Sequence, residues 1–185
     1  MGMNDNIIEK NRKLRLLVTT VCPNHCPLCC NNRFDFDKLP VVDRWDYDEI
    51  MITGGEPLLF ALRIGRLVDS IMGIQGAMGI KPSKIYVYTA KALRLLEVLP
   101  YLSGVVYTPH SKRDLEEFIC VNEDLRLRYN YKNLSLRLNL FPDIKAMLPE
   151  NVDLSLWQVK DIEWIKDCPV PEGEDFRRIA KLWEM

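Results

Sequence analysis

The stretch Leu14-Arg15-Leu16-Leu17-Val18-Thr19-Thr20-Val21-Cys22-Pro23-Asn24-His25-Cys26-Pro27-Leu28-Cys29-Cys30 runs a strand straight into a cluster of thiols. Residues 14–20 are rich in Leu, Val and Thr, the composition of a half-buried or buried strand. Cys22, Cys26 and Cys29 follow with C-x3-C-x2-C spacing. Pro23 and Pro27 favour extended and turn geometry, so the segment does not continue as a helix. Parallel, barrel-like folds gather their reactive groups at the C-terminal ends of strands. The thiol loop directly follows the first strand, the place such a fold gives its reactive groups.

Further strands are expected over 48–53, 85–89, 104–108, 134–140 and 154–159, most of them apolar, β-branched or aromatic and bounded by turn residues. Helical periods lie between them. Ile64, Leu67, Val68 and Ile71 follow the i, i+3, i+4, i+7 rule. Leu93, Leu96 and Leu99 recur at helical spacing until Pro100, and Leu115, Phe118 and Ile119 give another amphipathic stretch. Phe176, Ile179, Ala180 and Trp183 suggest a last helix over about 173–184. Strands alternating with helices imply βαβ units and a parallel sheet. Six strands are too few for a closed eight-stranded barrel, so the expected fold is α/β, a partial (βα)6 barrel forming a single domain over 1–185, its core about 14–160. The segment 31–47 has little helical period, so the first crossover is expected to be mostly loop. Residues 73–83 read as a Gly-rich connection.

Composition narrows the partners. The chain has 185 residues, 48% hydrophobic and 28% charged, with 25 Lys plus Arg against 26 Asp plus Glu and a net charge of −1. That balance exerts no global pull toward nucleic acid or an anionic membrane, although it leaves room for a local basic patch. Residues 1–15 lack the apolar run of a signal peptide, and Asn6 stands where a myristoylation signal wants Ser or Thr. No apolar stretch approaches bilayer length. The expected location is cytoplasmic.

Four of the six cysteines, Cys22, Cys26, Cys29 and Cys30, fall within nine residues. In a cytosolic chain such clustering reads as metal binding before disulfide bonding. Thiolates are the usual ligands of iron–sulfur clusters, and a compact loop with this spacing can direct three sulfurs at three corners of one cubane. Three ligands leave one iron without a protein thiolate, open to an exchangeable ligand. Alternatives are structural zinc on the three cysteines plus His25, unliganded buried cysteines, and Cys30 replacing Cys29 as the third ligand.

The second expected strand ends in Thr53-Gly54-Gly55-Glu56-Pro57-Leu58. Two glycines at a strand end permit positive φ and a close backbone approach to a ligand. Glu56 adds an acceptor suited to an ammonium group, and Pro57 can open the next helix. Alone, the segment also reads as a glycine turn with a capping Glu. Paired with the cysteine loop of the preceding strand, it is far more specific.

On Cys22, Cys26, Cys29 and Gly54-Gly55-Glu56-Pro57 the chain resembles the radical S-adenosylmethionine (SAM) superfamily. The resemblance implies a 4Fe–4S cluster on the three cysteines, with the amino and carboxylate groups of SAM on the open iron and the Gly-Gly-Glu segment at the amino group. It implies reductive cleavage of SAM to methionine and a 5′-deoxyadenosyl radical, which takes a hydrogen atom from a small-molecule or protein substrate. The electron would come from an external donor such as flavodoxin or ferredoxin.

By position the resemblance also puts Leu28 near adenine, and Tyr88 and Thr89 near the ribose or methionine part. Arg137 and Asn139 share one face of the fifth strand by period-2 alternation, with Arg137 a partner for the SAM carboxylate or, alternatively, a surface residue paired with a neighbour. Trp157 and Val159 are candidate walls of the adenine site, with core packing the competing reading. His110, after the fourth strand, is a candidate for substrate contact or acid/base work, or a satisfied structural histidine. Asn31, Asn32 and Arg33 follow the cluster and are candidates for the same mouth.

Cys120 and Cys168 are isolated and supply no auxiliary cluster. Small members of the superfamily include glycyl-radical activases and 7-carboxy-7-deazaguanine synthases. The synthases usually carry Asp-Thr after the third cysteine, with the Thr on magnesium; Cys30-Asn31 stand there in this chain. The competing class is a non-catalytic metal-binding interaction module, which would keep the cysteines but has no need of Gly54–Glu56.

Overall fold

The structure, a computed structural model, describes residues 12–29, 32, 34–128, 133–165 and 169–185. Cys30, Asn31, Arg33 and Cys168 lie outside the described residues. Seven strands form one sheet: β1 (Lys13–Thr19), β2 (Glu49–Gly54), β3 (Lys84–Thr89), β4 (Gly104–Tyr107), β5 (Ser135–Leu140), β6 (Gln158–Asp161) and β7 (Glu174–Trp183). Their order is β6-β5-β4-β3-β2-β1-β7, and every neighbouring pair is parallel. Among the described residues four α-helices accompany them: α1 (Ala61–Ala77), α2 (Leu95–Val98), α3 (Lys112–Arg128) and α4 (Pro142–Lys145).

Strands β1 to β6 each lie beside their predecessor, so crossovers of one hand put the helices on one face. Side-chain burial follows from that. Leu14, Leu16 and Val18 of β1, Ile50 and Ile52 of β2, Val87 of β3 and Leu138 of β5 pack with Ile64, Val68 and Ile71 of α1 and Leu115 and Phe118 of α3 in one core. Each such side chain contributes roughly 1.5–3 kcal/mol on burial. The alternate residues, among them Arg15, Thr53 and Tyr88, face the other way and line a pocket. An all-parallel α/β sheet with helices on one face and open edges at β6 and β7 is compatible with a partial barrel.

The predicted last helix over 173–184 is wrong: those residues form β7, paired with β1 from Lys13↔Glu174 to Leu17↔Arg178. The helical spacing of Phe176, Ile179, Ala180 and Trp183 is overridden by the free edge of β1, whose backbone groups need partners. Side chains reinforce the pairing, with Arg15 on Glu174 at 2.8 Å and the Tyr47 hydroxyl on Asp175 at 2.7 Å. Past Leu17 the register breaks: two steps along β1, to Thr19, match five along β7, to Trp183. The sheet therefore has seven strands rather than the expected six.

The sixth strand also moves, from 154–159 to Gln158–Asp161. Asp153 accepts a hydrogen bond from the Ser155 amide at 2.8 Å and Trp157 N donates to Leu154 O at 2.8 Å, so residues 154–157 turn instead of extending. Residues 73–77 are helical, not a connection. α1 continues to Ala77 because Gln75 is anchored inside, bonded to Trp45 O and to the Ser83 hydroxyl at 2.6 Å each. It stops at Gly79, whose φ of 68° closes the turn, with Ile80 N donating to Gln75 O at 2.9 Å. No helix of the described residues is long and apolar enough to cross a membrane.

Candidate functional site

The site grows from the end of β1. The Thr19 hydroxyl donates to Trp183 O at 2.7 Å and accepts from Val21 N at 3.1 Å, which turns the chain out of the strand into the cysteine loop. Within the loop Cys29 N bonds Cys26 O at 3.1 Å, and Asn24 N points at the Cys22 sulfur at 3.4 Å. Cys22, Cys26 and Cys29 are each half-buried and free, and all three line one pocket of about 360 Å³. Burial pushes the Cys22 thiol up. It pushes Cys26 up to about 11, with the negative charges of Cys29 and Cys22 adding to the effect. Three thiolates this close ionise together only against positive charge, the condition an iron–sulfur cluster meets. Among the described residues no group of three or more His, Cys, Asp or Glu side chains is already placed to hold a metal ion.

The end of β2 forms the facing wall. Gly54, Gly55 and Glu56 line the same pocket. Neither glycine has positive φ, so the conformational freedom that glycine permits is not used here. Their need for a missing Cβ has another origin: a Cβ at Gly54 would strike the Thr19 carbonyl, and one at Gly55 the Val21 carbonyl. The close approach is to the chain leading into Cys22, sealed by Gly55 N on Thr19 O at 2.7 Å and Glu56 N on Val21 O at 2.8 Å.

Glu56 is 1% exposed. Its carboxylate accepts from Leu58 N at 2.9 Å, from the Thr89 hydroxyl at 2.6 Å and from Ala90 N at 2.9 Å. It thus caps the 3-10 turn Pro57–Phe60 and joins the C-terminal ends of β2 and β3. Burial raises its pKa against the opposing pull of those donors. Pro57 is buried at the start of the turn and does not line the pocket.

Asp114 and Lys91, which do not line the pocket but tie its elements together, were among the residues that escaped the sequence reading. Asp114 is 0% exposed, in the first turn of α3. Its carboxylate receives the Lys91 ammonium, the Asn24 side-chain amide at 3.1 Å and His110 N at 3.1 Å. It therefore joins the cysteine loop to the ends of β3 and β4. The signal was present as Ser111-x-x-Asp114, a capping-box spacing; the Ser111 hydroxyl does accept from Asp114 N at 3.2 Å. Lys91 had no local signal.

His110 lines the pocket with Nδ1 3.2 Å from the Cys26 sulfur. Burial lowers its pKa, with Asp114 opposing. Phe141 and Trp164 stack at 4.1 Å between ring centroids and lie together against the imidazole at 5.7 and 5.2 Å. Trp164 belongs to the segment that crosses from β6 back to β7; Glu163, Pro169 and Pro171 of that segment also line the pocket.

Thr89 and Tyr88 join the pocket, but other candidates do not. Arg137 is exposed, its guanidinium bonded to the Ser135 hydroxyl at 3.1 Å and set over the Tyr86 ring at 5.2 Å. It is the neighbour-paired strand residue of the alternative reading. Asn139 stays outside the lining and donates to the Thr108 hydroxyl at 3.3 Å. Leu28 is 45% exposed and Val159 43% exposed, neither lining the pocket. Trp157 is core: its ring meets Phe118 and its indole N–H bonds Asn122 at 2.9 Å. Arg15, paired with Glu174, lines the pocket although the sequence singled out neither.

No protein-family model matches the chain, and no curated protein matches it.

Proposed function

We propose that the protein is a radical SAM enzyme, with Cys22, Cys26 and Cys29 holding a 4Fe–4S cluster. The observation that carries this reading is that three thiols spaced C-x3-C-x2-C share one pocket with Gly54-Gly55-Glu56, at the C-terminal ends of adjacent parallel strands. The donor set fits the group. It is all thiol, the chemistry iron–sulfur clusters take, and its three members line one pocket.

When bound, the reduced cluster supplies the electron that cleaves SAM to methionine and a 5′-deoxyadenosyl radical, the hydrogen acceptor for the substrate. The chain's own residues shape the place where this occurs. Gly54 and Gly55 press the end of β2 against the root of the cysteine loop. Glu56 has three of a carboxylate's roughly four acceptor sites occupied by Leu58, Thr89 and Ala90, so it builds the strand end more than it offers a free charge. Phe141, Trp164, Pro169 and Pro171 give the pocket an apolar wall that keeps water from reactive species. The electron comes from an external donor of the flavodoxin or ferredoxin kind, and the substrate is a small molecule or a protein segment.

The test is anaerobic reconstitution with iron and sulfide, then SAM and dithionite. Brown protein that releases 5′-deoxyadenosine supports the reading, with both properties lost in Cys26→Ala. Colourless protein that takes zinc and no iron under the same conditions overturns it.

A further inference from the structure

The contact between His110 and Cys26 goes beyond what the cysteine spacing specifies. We propose that His110 is a positioning residue whose Nδ1–H donates a hydrogen bond to the Cys26 sulfur and thereby raises the reduction potential of the cluster held by the three cysteines. The proposal rests on the iron–sulfur reading of the site.

The geometry supports a directed contact. Nδ1 lies 3.2 Å from the sulfur, within the range of a nitrogen–sulfur hydrogen bond. Which partner donates depends on where the proton sits. An iron-bound thiolate carries none, so the ring must be the donor once the cluster is in place. The ring is held to that task from several sides. Its backbone N–H is fixed on the buried Asp114 carboxylate at 3.1 Å. Phe141 and Trp164, stacked on one another, pack together against one side of the imidazole. Pro109 precedes it and keeps Thr108 extended off the end of β4. Asp114 also holds Asn24 of the cysteine loop at 3.1 Å, so one carboxylate sets both donor and acceptor.

Hydrogen bonds to cluster sulfurs stabilise the more negative, reduced state and are a principal means by which proteins tune cluster potentials. Loss of one such bond is expected to lower the ratio of reduced to oxidised cluster at a fixed solution potential about tenfold, which for one electron is about 59 mV.

The experiment compares wild type, His110→Leu and His110→Asn after anaerobic reconstitution, with iron and sulfide content measured first and the midpoint potential then read by EPR-monitored titration. Asn places an amide N–H near the position of Nδ1 and is expected to hold the wild-type potential, whereas Leu lowers it. A fully loaded His110→Leu with the wild-type potential overturns the proposal, as does an equal fall in both variants, which would mark a packing effect. Pulsed EPR on reduced wild type labelled with 15N-histidine keeps the question decidable if His110→Leu fails to load. A weak nitrogen coupling that is absent in His110→Asn is expected. No coupling, or one as strong as a direct iron–nitrogen bond, overturns the proposal. Failure of wild type to form any cluster would instead sink the enzyme reading, and this proposal with it.

Discussion

The side-chain amide of Asn24 donates to the Asp114 carboxylate at 3.1 Å, tying the cysteine loop to the first turn of α3 across 90 positions of sequence. The same carboxylate neutralises Lys91, whose side chain is 15% exposed. Asp114→Ala removes the partner of a largely buried ammonium and frees the loop at once. Breaking such a pair costs about 3–5 kcal/mol. Urea denaturation should show a loss of that size, and the surviving folded protein should take up less iron on reconstitution than wild type.

Gly55→Ala drives a methyl group into the Val21 carbonyl, which is backbone and has nowhere to yield. A destabilisation of about 2–3 kcal/mol is expected, with the cysteine loop displaced. Gly73→Ala serves as the control. Gly73 lies on the exposed face of α1 with open space around it, and Ala there should stabilise the fold by about 0.5–1 kcal/mol. Equal stability of the two variants in thermal melts would contradict the close approach of β2 to β1.

Glu56→Ala leaves Leu58 N–H and Ala90 N–H without their acceptor inside the protein, while the Thr89 hydroxyl keeps the Lys91 carbonyl at 3.0 Å. Each buried unsatisfied group costs about 1–3 kcal/mol. The cluster-free variant should lose at least about 2 kcal/mol in urea titrations. That outcome separates a structural carboxylate from one serving only a ligand, whose removal would leave the apoprotein's stability unchanged.

Asp175 fastens β7 to the segment before β2, and its pKa is held below the ordinary carboxylate value, first by the Tyr47 hydroxyl. A depressed folded pKa means that the stabilisation is complete above the unfolded value of about 3.9 and fades as pH falls through the folded one. Urea midpoints of wild type should therefore drop below about pH 4 more steeply than those of Asp175→Asn. Parallel curves for the two proteins would remove Asp175 from this role.

Most strands were readable from the chain because their signal is local. The alternation in Ser135–Leu140 and the apolar runs in β1 to β4 follow from pleat geometry. The errors lie where a distant partner outweighed the local period. Leu154–Trp157 was apolar enough for a strand, but Asp153 turned it and Asn122 captured the Trp157 indole. Arg137 had the right alternation and the right chemistry for a carboxylate, yet its place on β5 leaves it over Tyr86, outside the pocket.

For the site, the spacing of Cys22, Cys26 and Cys29 was determined by sequence alone, because ligand spacing is a property of neighbouring residues; the run Gly54-Gly55-Glu56 was visible there too, but the reason for its glycines, the Thr19 and Val21 carbonyls, was not. Tertiary structure alone decided that β7 closes the free edge of β1, that Asp114 binds Asn24 and Lys91, and that His110 meets the Cys26 sulfur. Those contacts join residues far apart in the chain. Their stability comes from pairing open backbone groups and buried charges, a demand that arises only when the elements have come together.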